Sequence, residues 1–143
     1  MLVAQPILSK TFDFTPSWTN ITLGTSTNYG QYTRMGRWIE FQARVTMASG
    51  FSVSNGVRLA LPVTALVTPS PCAIECVCFD NGSGFFRGGA EATTISTTST
   101  GDLVCYTANA TYAAAANISG TAPMTWVAGD WLEVIGHYLA EPL

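Results

Sequence analysis

The chain has 143 residues and a net charge of −3, and only 10% of its residues are charged, against about 25% in ordinary soluble domains. That length suits one domain able to bury about two-thirds of its unfolded surface. The few Lys and Arg stand singly between Lys10 and Arg87, which excludes the clustered basic surface that nucleic acid requires.

Thr, Ser, Asn, Gly and Ala replace the missing charges. Such a composition fits a surface partly covered by partners. Residues 1–11 read as an N-terminal arm and residues 12–143 as the domain. The arm's apolar run is broken by Gln5 and Pro6, and no basic segment precedes it. It therefore reads neither as a cleaved signal nor as a membrane anchor. The expectation is a chain that keeps Met1, is made in a cytoplasm and inserts in no membrane.

From residue 12 onward the pattern has period two. FDFTPSWTNITLG alternates around Pro16, and GTSTN at 24–28 is rich in turn residues. A strand is expected over 29–35. Gly36 then supplies the positive φ of a tight connection into residues 38–47. That next strand alternates almost without a break: Ile39, Phe41, Ala43, Val45 and Met47 lie on one side, and Trp38, Glu40, Gln42, Arg44 and Thr46 on the other. Its second face carries a Trp, an amide and both signs of charge, an unusual set for a solvated strand.

ASGFSVSNG at 48–56 reads as a loop, and Val57, Leu59, Leu61 and Val63 as an inward face ending at Pro62. PSPC at 69–72 breaks the chain before CAIECVCF, and DNGSG at 80–84 signals a hairpin. Residues 91–102, rich in Thr and Ser, are compatible with an exposed strand followed by a turn. Leu103, Cys105 and Thr107 alternate with Val104 and Tyr106. The AAAAN run at 113–117 holds the best helix formers, but five residues are too few for a helix to stand alone. Gly129-Asp130 turns the chain into a last strand. There Leu132, Val134 and Gly136 share one face, and Trp131, Glu133, Ile135 and His137 share the other.

Turn signals recur every eight to twelve residues, the pattern of an all-β sandwich or small barrel. The fold class expected is all-β: a jelly-roll-like antiparallel β-sandwich.

Little in the sequence points to reaction chemistry. The acids are scattered, and only Asp130 and Glu133 lie close together. Asp130 is expected to shape its turn. His137 is the single histidine, and a catalytic role for it requires a Ser or Cys brought near by folding. No phosphate loop or zinc signature occurs, so no catalytic residue, metal or cofactor is assigned. Of the cysteines, Cys72, Cys76 and Cys78 share parity and would share a strand face. Buried free thiols are their default in a reducing cytoplasm, with disulfides or a structural zinc as alternatives.

The aromatics favour binding over chemistry. Flat rings pack on the apolar faces of sugars or on neighbouring subunits. Trp38, Gln42 and Arg44 are read as a subunit-interface face, because the other side of their strand already supplies the core. Tyr112 is read as a glycan contact.

The strings WTNITLG, YTRMGRWIEFQARVTM and VRLALPV, with W-x-x-G-D-x-L-x-V-x-G-x-Y over 126–138, resemble a β-rich surface domain of tailed bacteriophages, especially those of actinobacteria. The shared order is an aromatic-led first strand, a Y-x-R-x-G-R hairpin, an LP strand end and a closing GD hairpin. The likeness covers both ends of the chain and is weak between residues 64 and 125. It implies a virion surface protein that is a homotrimer and not an enzyme. Without a shaft or collagen-like stalk, the chain resembles the small proteins that decorate capsids. In that role the arm, through Leu2, Val3, Ile7 and Leu8, would lie on the major capsid protein. The alternative implied is a tail or baseplate protein that recognises host-surface glycan.

Overall fold

The structure is a computed structural model that describes residues 9–70, 73–108 and 113–143. Among the described residues there are ten strands: β1 (Ser9–Phe14), β2 (Trp18–Thr22), β3 (Thr27–Met35), β4 (Trp38–Thr46), β5 (Ser52–Leu59), β6 (Ile74–Asp80), β7 (Gly84–Ala90), β8 (Leu103–Ala108), β9 (Ala113–Asn117) and β10 (Trp131–Leu139). No α-helix occurs among the described residues. Eight strands form one sheet in the order β1-β3-β4-β10-β6-β7-β8-β9, and β2 pairs with β5 in a second. Every pairing between these strands is antiparallel. The molecule is thus an all-β antiparallel sandwich. Its strands divide eight and two, a more lopsided split than two equal sheets.

The turns follow local chemistry. Gly36 has φ +62° and opens the two-residue connection between Met35 and Trp38, which pair directly. The β6–β7 hairpin is shaped by Asp80, which accepts hydrogen bonds from the Ser83 hydroxyl at 2.6 Å and the Gly82 amide at 2.7 Å. These bonds, the hydroxyl's first, hold the Asp80 carboxyl below its ordinary range. Asp130 is fully buried and accepts from the amides of Val127 at 2.7 Å and Asn81 at 3.0 Å. It shapes its turn as expected, and ties that turn to the β6–β7 hairpin.

The core lies between the sheets. β4 contributes Ile39, Phe41, Ala43 and Val45, β10 contributes Leu132, Val134 and Tyr138, and β5 faces them with Val57 and Leu59. Trp126 is buried with them and donates its indole N–H to the Ser119 carbonyl at 2.8 Å. Tyr138 is anchored at its far end: its hydroxyl donates to the Val63 carbonyl at 2.7 Å and accepts from the Val63 amide at 3.2 Å. Burial pushes the Tyr138 hydroxyl up to about 12.

The large sheet bends over at β7. Cys76, Gly88 and Cys105 stand in one cross-strand row. A Cβ on Gly88 would collide with the Val104 carbonyl oxygen, so only glycine permits the close approach of β7 and β8. In a flat sheet, strands two places apart lie about 10 Å from each other. Here Cys78 of β6 and Cys105 of β8 bring their sulfurs to 3.4 Å. The bend carries β8 and β9 toward β5. There Arg58 pairs with Asp102, whose hydrogen bond and charge raise the guanidinium pKa.

Several expectations need correction. β1 begins at Ser9, so the last three residues of the expected arm are strand residues paired with β3. β5 begins at Ser52, inside the stretch read as a loop; Ser52, Ser54 and Asn55 are polar and exposed there, while Val53 packs against the core. Residues 91–102 form turns with a single bridge, Ala60 to Ser99. The alanine run, too short for a lone helix as expected, is strand β9, paired with β8.

Candidate functional site

The outer face of the large sheet holds the expected interface residues. Alternation along β4 sends Trp38, Gln42 and Arg44 outward, and antiparallel register sets their neighbours. Trp38 pairs with Leu139, Gln42 with Ile135 and Arg44 with Glu133. On the far side of β10, Ile135 pairs with Glu75 and Trp131 with Phe79. The face is therefore a set of rows crossing β3, β4, β10 and β6.

One row is an ion pair closed within the chain. Glu133 Oε2 accepts from Arg44 Nε at 2.8 Å and from Gln42 Nε2 at 2.9 Å, and lies 2.7 Å from Arg44 Nη2. The Arg44 guanidinium also sits 4.2 Å above the centre of the Trp131 ring, a favourable cation–π geometry. Trp131 stacks on Phe79 at 5.2 Å, and Phe85 leans on both. At the other end of the face, Trp38 stacks on His137 at 4.8 Å with the planes 22° apart.

Apolar groups stand open among these pairs. Ile135 is 38% exposed, Leu139 45%, Tyr29 51% and Phe85 66%. Near the middle runs an open groove of about 440 Å³. Ile135 and Gly136 form part of its floor, and Gln31, Thr33, Glu40, Gln42, Glu75 and His137 supply its polar walls. Glu75 also pairs with Arg87 at 2.7 Å at the exposed rim. The groove offers amide, carboxylate, hydroxyl and imidazole groups, a set better suited to neutral hydroxyls than to an anion.

Trp38, Gln42 and Arg44 are thus brought onto one face, as their parity implied. Tyr112 and the arm residues Leu2, Val3, Ile7 and Leu8 lie outside the described residues, as does Cys72. Sequence reasoning missed Glu133 as the partner of Arg44 and Gln42. It also missed Glu40, Glu75 and Ile135 as groove residues. The only available signal was the outward parity of Glu133 and Ile135 beside Trp131 and His137. Asp130 and Glu133, the one close pair of acids, separate: the first is buried in its turn and the second sits in the ion pair. Cys76, Cys78 and Cys105 are buried free thiols, and no cluster suited to a metal ion occurs among the described residues.

Comparison of the chain with protein-family models, with curated proteins and with solved structures returns no match.

Proposed function

We propose that this chain is a structural protein of the surface of a tailed bacteriophage particle, a homotrimer joined through the outer face of its large sheet and bound to the capsid as a decoration protein. The phage assignment rests on the motif resemblance. The assembly rests on one observation: the exposed Ile135, which pairs with Gln42 and stands two residues from Glu133 on β10, lies beside an Arg44–Glu133 pair already satisfied within the chain. Burying a charge without a partner is strongly unfavourable, whereas a pair closed inside one subunit can be covered at lower cost. Such a face, apolar beside a closed ion pair, fits a second copy of itself around a symmetry axis. The arm, with Leu2, Val3, Ile7 and Leu8, makes the contact with the major capsid protein.

Copy number in purified particles tests this reading. A simple ratio to the major capsid protein, such as one to one or one to three, is expected. A handful of copies per particle contradicts it. A chain lacking residues 1–8, which leaves β1 whole, should remain folded and trimeric yet fail to coat capsids; full coating by that truncate ends the role given to the arm.

The groove favours a second reading: a tail or baseplate protein that holds host-surface glycan. Planar amides and carboxylates above an apolar floor suit neutral sugars, which present paired hydroxyls and apolar C–H faces. The two readings compete for one face. Gln31→Ala and Glu75→Ala should lower adsorption to host envelopes under the second reading and leave it unchanged under the first.

A further inference from the structure

We propose that Cys78 and Cys105 form a latent cross-link, a thiol pair that a peroxide converts into a disulfide joining β6 to β8 across β7 while the fold is kept. The proposal stands on placement. The two sulfurs are 3.4 Å apart and both residues are fully buried. The strand between them presents Gly88 to Cys105, and its missing side chain lets the sheet bend until the thiols meet. A disulfide requires the sulfurs to close to about 2.05 Å, a short movement for two side chains already in contact.

Cys76 is the natural competitor, because it too lies near enough to act on Cys105, but backbone carbonyls hold its sulfur, and the sulfur in direct contact with Cys105 is that of Cys78. The Cys76 sulfur donates to the Val104 carbonyl at 3.2 Å and points toward the Gly89 carbonyl at 3.7 Å. The roles of the other two are also distinguishable. Hydrogen bonding from Cys76 and Cys78 lowers the Cys105 pKa against the effect of burial, while the same bonding and burial raise those of its two neighbours. The direction of these shifts favours Cys105 as the attacking sulfur and Cys78 as the resolving one.

The chemistry balances with hydrogen peroxide as oxidant. The Cys105 sulfur attacks one peroxide oxygen, the O–O bond breaks, and the other oxygen leaves as water with the thiol proton. Cys105 is then a sulfenic acid. The Cys78 sulfur attacks that sulfur, the S–O bond breaks, and a second water leaves with the Cys78 proton. Two thiols and one peroxide thus give one disulfide and two waters. A chain folded in a reducing cytoplasm and then carried into an oxidising exterior would gain this bond after folding. The bond would also close a loop around β7 and the turn-rich residues 91–102, which restricts the unfolded chain.

The test uses the full chain, freed of reductant and treated while folded with stoichiometric hydrogen peroxide. Intact mass and peptide mapping without reduction are then read. Expected are the loss of two hydrogens, a single Cys78–Cys105 cross-linked peptide and a higher Tm. Cys76→Ala should keep the cross-link. Cys78→Ala should lose it and leave a sulfenic acid on Cys105 that dimedone traps. Cys105→Ala, run in parallel with circular dichroism, separates loss of chemistry from loss of fold; should both variants misfold, the wild-type peptide map decides alone. A disulfide through Cys72 or Cys76, over-oxidation of wild type without a cross-link, or a cross-link that forms only after denaturation would overturn the proposal.

Discussion

The two faces of β4 follow opposite rules. Its inner residues, Ile39, Phe41, Ala43 and Val45, are almost wholly removed from solvent and are held by packing. Its outer residues are held by partners of matching chemistry: Trp38 by the His137 ring, and Arg44 and Gln42 by Glu133. The inner face commits its side chains to this fold. The outer face closes its Arg44–Glu133 pair and leaves Ile135, Leu139 and Tyr29 open, which is the basis for the assembly we propose there.

The comparison predicts large losses wherever the packed side is touched. Gly88→Ala should be the most damaging, because its Cβ would collide with the Val104 carbonyl oxygen. Strand backbone cannot yield easily there. A loss above about 4 kcal/mol is expected, read as a chain that fails to give a cooperative thermal transition; a melt within a few degrees of wild type would refute the account of the bend. Leu132→Ala, on the buried side of β10, should cost about 2–5 kcal/mol in denaturant unfolding.

Tyr138 gives a pH-dependent version of the same contrast. Its pKa is raised from 10 to about 12, chiefly by burial, so folding favours the neutral hydroxyl. Its contribution is complete below pH 10 and is lost as pH rises through 12, a change on the order of 3 kcal/mol. Tyr138→Phe removes both bonds to Val63 and should be less stable by about 1–3 kcal/mol near neutrality. The gap should shrink between pH 10 and pH 12 in paired urea titrations. A constant gap would show that the hydroxyl does not titrate as described.

The smallest effect belongs to the outer face. Arg44 is partly exposed and Glu133 much less so. A double-mutant cycle on Arg44 and Glu133 should give a coupling of about 1 kcal/mol or less in the single chain. A coupling of several kcal/mol there would mean that the pair holds the fold together, and the contrast between faces would fail.

Much of this was legible in the chain. Period two, interrupted by Gly36, DNGSG and Gly129-Asp130, located β3, β4, β6, β7 and β10, because alternating burial and tight turns leave direct marks on sequence. The outward parity of Trp38, Gln42 and Arg44 was equally plain. The misreadings have physical causes. β5 opens with exposed Ser52, Ser54 and Asn55 ahead of Gly56, and such residues resemble a loop. The alanines of β9 carry no alternation, so only pairing with β8 defines them. Residues 91–102 have strand-forming composition, yet their backbone makes turns, joined to the rest of the chain by one bridge and by separate hydrogen bonds with Leu59, Leu61 and Ala65. Arg44 and Glu133 are 89 residues apart in the chain. Their partnership depends on the register of β4 against β10, which no local signal encodes. The same holds for the meeting of Cys78 with Cys105.

The most direct test of the central claim is the solution mass of the full chain by light scattering across a concentration series, beside Ile135→Lys. The account predicts three times the 15.2 kDa chain mass for wild type. For Ile135→Lys it predicts a folded single chain, because a lysine at the centre of the covered face would be buried without a partner. A wild type that stays at the single-chain mass at every concentration, or an Ile135→Lys variant that still assembles as wild type does, would contradict it.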